Sequence, residues 1–350
     1  MLIADDSALM RQTLKKIVAS AADFDLIGVA RDGEDAIAKA RQLRPDVVSM
    51  DINMPKLDGI TALQTILHEN ICPVVMVSSL TQQGKATTFE CLELGAFDFV
   101  AKPDGTVSSN MGAVAEELIS KLRAAASSKN FFEHRAHTVQ RRKPFQSASG
   151  AMFAKVTRPK AVAIGISTGG PGTLQEVLPL IPADVPASIF LVQHMPPAFI
   201  AAFAQRLDDH CALKVVEAQS GMSVTPSVCY VAPGGRHLCL HRKMTGEVVI
   251  RTPTTPLTLF MPSVGVMMAS VLNIYGVDTI GVLMTGIGDD GADQMVAIRQ
   301  AGGYTIAESE QTAVVYGMPR EAYERGGASE VAPSYEVAGA IVKAVQRTMQ

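Results

Sequence analysis

The chain has 350 residues, 47% hydrophobic content and a formal net charge of −3. That length predicts two domains, each with enough apolar sequence for its own core, and the near-balanced charge excludes the broad basic footprint of a nucleic-acid binder. Five scattered cysteines with no C-x-x-C pair exclude a disulfide framework or a zinc site. Asp5, Asp6 and Arg11 precede any long apolar run, and no stretch of about 18 apolar residues follows, so neither signal peptide nor membrane span is expected. A soluble, cytoplasmic protein is the expectation.

Residues 1–122 alternate short apolar runs with amphipathic stretches. Strands are predicted over Leu2–Ala4, Leu26–Ala30, Val47–Met50, Val74–Val77 and Phe97–Ala101, with helical spacing between them, as in Leu9, Leu14, Ile17 and Val18. Such βα units predict a doubly wound parallel sheet, whose functional crevice lies at the carboxyl ends of the strands. Asp5 and Asp6 follow the first strand, Asp51 the third, Ser78 the fourth, and Lys102 ends the fifth. Three carboxylates converging in one pocket repel one another unless a cation joins them. Mg²⁺ suits such oxygen ligands, with Asp5, Asp6, Asp51 and the backbone carbonyl of Asn53 as the candidate set. Asp51 is then the acceptor for an aspartyl-phosphate, Lys102 supplies positive charge, and Ser78 moves to the phosphoryl oxygens. Singly, each has a plainer reading: Asp6 before Ser7 as a helix cap, or Lys102-Pro103 as an ordinary loop. Matching positions at successive strand ends favour the joint reading.

Residues 123–158 lose the apolar periodicity. Ala124-Ala125-Ala126-Ser127-Ser128, a basic group around Arg135, Arg141, Arg142 and Lys143, and Ser147–Gly150 read as a solvated linker. An acidic partner for the basic group is the less favoured alternative.

Residues 159–350 return to alternation. Strands are predicted over Ala161–Ile166, Ala187–Val192, Leu213–Val216, Val228–Val231, Val248–Ile250, Thr279–Met284 and Tyr304–Ala307. Helices are predicted over Leu174–Leu178, Phe199–Leu207, Val264–Leu272, Ala292–Gln300 and Val337–Met349. Pro253, Pro256 and Pro262 break the middle segment into loops, where antiparallel pairing is expected. The whole is a second α/β domain with an irregular insert.

Within it, Gly165-Ile166-Ser167-Thr168-Gly169 matches G-x-S-x-G directly after a strand. A small-residue turn there lifts the serine hydroxyl from the sheet edge, and the helix that follows points its N-terminus at the spot where an oxyanion would form. A nucleophilic serine needs a base, and the base an orienting acid. His194 follows the strand Ala187–Val192 and emerges on the same edge as Ser167. His237, after Val228–Val231, is the rival. Asp289 and Asp290 share the glycine-rich turn after Thr279–Met284, and either suits the acid, the other capping the next helix. The chain order Ser, His, Asp differs from the Ser, Asp, His order of α/β-hydrolases, so the motif does not place the chain among them.

The N-terminal pattern, Asp5-Asp6-Ser7, Asp51 with Met54-Pro55 and Asp58-Gly59, Ser78, and Ala101-Lys102-Pro103, resembles the receiver domains of two-component response regulators. The resemblance implies a flavodoxin-like receiver phosphorylated on Asp51 by a histidine kinase, with Mg²⁺ required. The first strand begins almost at Met1, where receivers carry several more residues, which implies a short first strand or a start codon upstream. Gly165–Pro171, Gln193-His194-Met195-Pro196, Tyr230–His237, Thr285–Ala292 and Tyr316–Ala322 resemble the chemotaxis protein-glutamate methylesterase family. That family joins a receiver to a catalytic domain, so the resemblance spans essentially the whole chain. It implies a triad of Ser167, His194 and Asp290, with Thr168 flanking the nucleophile and the Ile287 backbone near the oxyanion, where some relatives carry Met. It also implies hydrolysis of glutamate γ-methyl esters, and deamidation of glutamine, on methyl-accepting chemotaxis receptors. The esterase half is expected to need no cofactor, and the chain to be a monomer.

Three rival functions are weighed. A phosphorylation-switched binding protein with an inert hydrolase fold predicts a missing triad member, and none is missing. A DNA-binding response regulator needs a basic helix-turn-helix after the linker, and residues 159–350 show none. An esterase of the same family serving a non-chemotaxis sensory pathway stays open at this level.

Overall fold

The computed structural model describes residues 1–79, 81–102, 111–128, 158 and 160–347. Pro103, His134, His137, most of the expected linker with its basic group, and Met349 lie outside them. The chain divides into two compact units, Met1–Arg135 and Ala136–Gln350.

In the first unit strands and helices alternate: β1 (Leu2–Ala4), α1 (Ala8–Ala19), β2 (Gly28–Ala30), α2 (Gly33–Leu43), β3 (Val48–Asp51), α3 (Gly59–His68), β4 (Val74–Ser78), α4 (Gln82–Glu93), β5 (Asp98–Ala101) and α5 (Met111–Ser127). Every residue of β1, β3 and β4 is buried, as expected of parallel strands covered on both faces. The order is β2-β1-β3-β4-β5, with all neighbours parallel. Side-chain caps set the helix starts: Ser7, Asp32, Asp58 and Thr81 each accept a backbone N–H of the first turn of α1, α2, α3 and α4. Helix α5 continues past residue 122 to Ser127. The alanine run 124–126 is a strong helix former, and Arg123 is fastened to Asp23 by paired hydrogen bonds of 2.6 and 3.0 Å.

The second unit begins with β6 (Lys160–Ile166), α6 (Gly170–Val177), β7 (Ala187–Gln193), α7 (Pro197–His210), β8 (Lys214–Glu217), β9 (Val228–Val231), β10 (Cys239–Arg242) and β11 (Val248–Arg251). It ends with α8 (Val264–Tyr275), β12 (Thr279–Leu283), α9 (Ala292–Gln300), β13 (Tyr304–Glu308), α10 (Met318–Glu324), β14 (Glu330–Ala332) and α11 (Ser334–Gln346). Seven strands form one parallel sheet in the order β14-β13-β12-β6-β7-β9-β8. Strands β6 and β7 are buried throughout. Met267, Met268 and Val271 of α8 share one core with Met295 and Ile298 of α9 and Leu283 of β12.

In the middle segment the β10–β11 hairpin pairs antiparallel, with one isolated antiparallel bridge between Ser223 and Val249, while β8 and β9 join the main sheet in parallel. Sequence reasoning misses β10, β14 and α10. The first two are short, with only one buried residue each, so they carry no readable period. The third, Met318–Glu324, is too short for one.

Candidate functional site

In each parallel sheet the strand order reverses beside the first strand of the unit, and in open α/β sheets ligands bind in the crevice at such a point. In the second unit the reversal lies between β6 and β12. The chain leaves β6 into Ser167 and leaves β12 into Thr285, and the Ser167 N–H donates to the Thr285 carbonyl at 2.9 Å. Two glycines of the motif answer to close packing. A Cβ on Gly165 would stand 2.2 Å from Val264 at the start of α8. Gly169 has φ +77°, and a Cβ there would meet Val314 at 2.5 Å. The Gly170 N–H then closes the turn onto the Ser167 carbonyl at 2.8 Å.

His194, just past β7, reaches Ser167 from the neighbouring strand. Its Nδ1 lies 3.2 Å from Ser167 Oγ, and its Nε2 lies 2.9 Å from Asp290 Oδ2. An ionised carboxylate only accepts, so Nε2 carries the hydrogen toward Asp290 and Nδ1 is left to accept from the serine hydroxyl. Phe260 stacks on the imidazole, with ring centroids 4.3 Å apart and planes at 14°. Ser167 is 8% exposed.

Asp290 is held from four directions. Besides His194 it accepts Ser263 Oγ–H (2.9 Å), Val264 N–H (2.7 Å) and Gly265 N–H (2.9 Å). Ser263 also caps α8, so the carboxylate sits on the positive end of that helix. Burial opposes its ionisation, but the His194 bond and the Gly265 and Val264 amides outweigh burial and hold the carboxyl below its usual range. Sequence reasoning misses Ser263, Val264, Gly265 and Phe260. The cap signal of a serine before an apolar helix was available at Ser263.

The two alternatives left open by sequence have other partners. His237 is fully buried. It donates through Nε2 to the Pro256 carbonyl at 2.8 Å and accepts the Ser263 N–H on Nδ1 at 3.2 Å. It therefore fixes the residue that caps α8. Asp289 faces outward and accepts from Arg325 at 2.7 Å. Thr168 is buried, and its carbonyl accepts Thr285 Oγ1–H at 2.9 Å. Ile287 is half-buried and follows Gly286, whose N–H and carbonyl are tied to Val315 and Met318.

Beneath this turn lies a buried acid that sequence reasoning also misses. Glu308 ends β13, is fully buried, and accepts Thr285 N–H (2.8 Å) and Thr312 Oγ–H (2.9 Å). Burial pushes its carboxyl up to about 7, against the pull of those two donors.

In the first unit the reversal lies between β1 and β3, and Asp5, Asp6 and Asp51 meet there. Their ligand atoms lie within 4.8 Å of one another. Lys102 Nζ stands 2.7 Å from Asp51 Oδ2 and 3.1 Å from Asp5 Oδ2. Burial, reinforced by Asp5, raises Asp51 above the ordinary carboxylate range despite the Lys102 contact. The Lys102 ammonium is also raised, because Asp51 and Asp5 outweigh its burial. Asp5 Oδ1 accepts the Ser7 N–H at 2.8 Å, whereas the buried Oδ2 has the Lys102 ammonium beside it at 3.1 Å. A hard divalent cation with oxygen ligands fits that set. Asn53, two residues past Asp51 in the chain, is exposed. The buried Ser78 hydroxyl points to α4, accepting from Thr88 Oγ1 at 2.5 Å and donating to the Gly84 carbonyl at 3.3 Å.

Fold and site thus define a class: a receiver-type unit with an acidic pocket, followed by a parallel-sheet unit bearing a serine–histidine–aspartate chain. The model of the CheB methylesterase family matches residues 162–341, and that of the response regulator receiver domain matches residues 1–107. The chain is 57% identical to a protein-glutamate methylesterase/protein-glutamine glutaminase of Syntrophomonas wolfei, covering 99% of each. It is 49% identical to one of Caldanaerobacter subterraneus, over 98% of this chain and 96% of the relative. The crystal structure of the Thermotoga maritima CheB methylesterase catalytic domain matches at TM-score 0.52 and 38% identity, over 53% of this chain and 98% of that one. The chain belongs to the CheB methylesterase family, with a response regulator receiver domain at its N-terminal end. No helix among the described residues is long and apolar enough to cross a membrane.

Proposed function

We propose that this chain is a phosphorylation-activated protein-glutamate methylesterase and protein-glutamine glutaminase acting on methyl-accepting chemotaxis receptors, in sensory adaptation. The hydrogen-bonded chain Ser167–His194–Asp290 carries the reading. His194 Nδ1 takes the Ser167 proton as Oγ attacks the γ-carbonyl of a glutamyl methyl ester. The tetrahedral intermediate collapses, the proton passes from Nδ1 to the methoxy oxygen, and methanol leaves an acyl-serine. Water then gives a proton to Nδ1 and attacks the acyl carbon; as the second tetrahedral intermediate collapses, Nδ1 returns that proton to Ser167 Oγ, releasing glutamate and restoring the free serine. A glutamine side chain follows the same route with ammonia as leaving group. Asp290 holds the imidazole in the required tautomer and stabilises the imidazolium. General-base catalysis of this kind contributes typically ~10²–10⁴-fold. We place the Ile287 backbone beside the oxyanion and Thr168 beside the nucleophile; an oxyanion donor adds about 3–4 kcal/mol. The ester chemistry is assigned to these residues with no cofactor.

Control is assigned to the receiver. Asp51 is the phosphoacceptor and a histidine kinase the donor. Asp5, Asp6, Asp51 and the Asn53 carbonyl would hold Mg²⁺, which when bound neutralises the incoming phosphoryl charge. Lys102 adds its own charge there. Drawing the Ser78 hydroxyl toward a phosphoryl oxygen breaks its bonds to Thr88 and Gly84 and so moves the start of α4. Without the phosphoryl group, turnover stays at its basal level. The domain plan is receiver over residues 1–122 with α5 running on to Ser127, linker to 158, and methylesterase domain over 159–350, in a cytoplasmic monomer.

The test follows methanol release from methylated receptor with and without a small-molecule phosphodonor and Mg²⁺. Stimulation that vanishes in Asp51→Ala, and activity that vanishes in Ser167→Ala, are the expected results. Full activity in Ser167→Ala would overturn the catalytic assignment, and stimulation surviving Asp51→Ala the regulatory one.

A further inference from the structure

We propose that Gln193 is a positioning residue that sets the distance between nucleophile and base, an inference that rests on the assignment of Ser167 and His194. Gln193 is the last residue of β7 and pairs in register with Ile166 of β6. Its side chain is almost wholly buried and crosses between the two strand ends. The Nε2 group donates to the Ser167 carbonyl at 2.9 Å and to the His194 carbonyl at 2.9 Å. Both partners only accept, so the group facing them is the amide NH₂, and both of its hydrogens are used. One planar group thereby ties the main chains of the two residues whose side chains meet at 3.2 Å. Small errors in such a separation slow chemistry far more than they weaken binding.

Two further observations mark the placement as deliberate. Gln193 Oε1 is buried with no hydrogen-bond partner, a costly arrangement for an interior carbonyl. The amide thus satisfies two main-chain carbonyls while its own oxygen stays unpaired. The same Oε1 packs on the turn: a Cβ on Gly170 would stand 2.2 Å from it. The glycine after the serine motif therefore leaves room for the clamp.

Full-length Gln193→Met keeps the side-chain length and removes both donors. With the receiver phosphorylated and methylated receptor as substrate, kcat is expected to fall 20-fold or more, with KM within twofold of wild type. Gly170→Ala keeps the amide but displaces it, and is expected to lower kcat in the same way. Thr279→Val is the control, because Thr279 Oγ1 is also buried without a partner yet lies at the far end of β12; its kcat is expected to stay at the wild-type value. If Gln193→Met does not fold, Gly170→Ala decides. A kcat within threefold of wild type in the deciding variant, a loss confined to KM, or an equal loss in Thr279→Val overturns the inference. Ser167→Ala runs alongside: if it is inactive while Gln193→Met is normal, only the positioning role fails, whereas an active Ser167→Ala removes the assignment beneath it.

Discussion

Asp51 and Asp290 both lie on the carboxyl side of a parallel strand next to a reversal of strand order, Asp51 as the last residue of β3 and Asp290 in the turn between β12 and α9, and each is largely withdrawn from water. Yet Asp51 is raised above the usual carboxylate range and Asp290 is lowered below it. The difference lies in donors. Asp290 receives two amides, a hydroxyl and an imidazole. Asp51 has the Lys102 ammonium but shares it with a second buried carboxylate, Asp5. A fully satisfied acid holds its neighbour still. An acid short of partners invites charge from outside, as a cation or a phosphoryl group. A parallel sheet thus holds a fully satisfied acid in one unit and a receptive one in the other.

The comparison breaks most visibly if the fixed site tolerates damage. Ser167→Ala is expected to lower kcat by about 10⁶-fold, and Asp290→Asn, which turns an amide NH₂ against donors, by about 10⁴-fold, measured as methanol release. Asp51→Asn should behave oppositely, keeping basal turnover while losing a phosphodonor stimulation on the order of 10–100-fold. Loss of basal turnover in that variant would mean that the receptive site is part of the catalytic one.

A third acid sharpens the contrast. Glu308 has two donors and no cation, and its carboxyl is raised to about 7. The folded state therefore binds this proton more tightly than the unfolded chain, whose glutamate titrates near about 4.3. Stability is fully present below that value and is lost as pH rises toward 7. Thermal midpoints of the second unit should fall over this window in the wild type relative to Glu308→Gln, and parallel pH curves for the two would refute the reading. Smallest of all, Asp289→Asn removes one exposed contact to Arg325, which keeps Asp293 and Glu321. Stability and kcat should move by less than about 1 kcal/mol, although Asp289 is the neighbour of Asp290. A large loss there would place Asp289 in the site.

The receiver was legible because its functional residues stand at strand ends and its strands are unbroken apolar runs. The serine turn was legible for the same reason. The base and the acid were legible only as pairs of candidates. His194 and His237 both follow strands, and Asp289 and Asp290 are adjacent, so sequence position does not separate them. What separates them is contact: the Pro256 carbonyl and Ser263 N–H engage His237, and Arg325 draws Asp289 outward. The supports of the site, Ser263, Phe260, Glu308 and the Gln193 amide, were not legible as such. Each acts across elements distant in sequence, through bonds that neither composition nor periodicity records.

By itself, the sequence determined the two α/β units, the acidic pocket of the first and the serine turn of the second. These follow from local rules: apolar runs make buried strands, and small residues make turns. Only the tertiary structure decided which histidine meets the serine, which ring nitrogen faces it, and which aspartate is anchored on a helix start. Those choices depend on bond geometry among segments that become neighbours only when the sheet is assembled. A slip of one residue in strand register changes their outcome without changing the pattern of the chain.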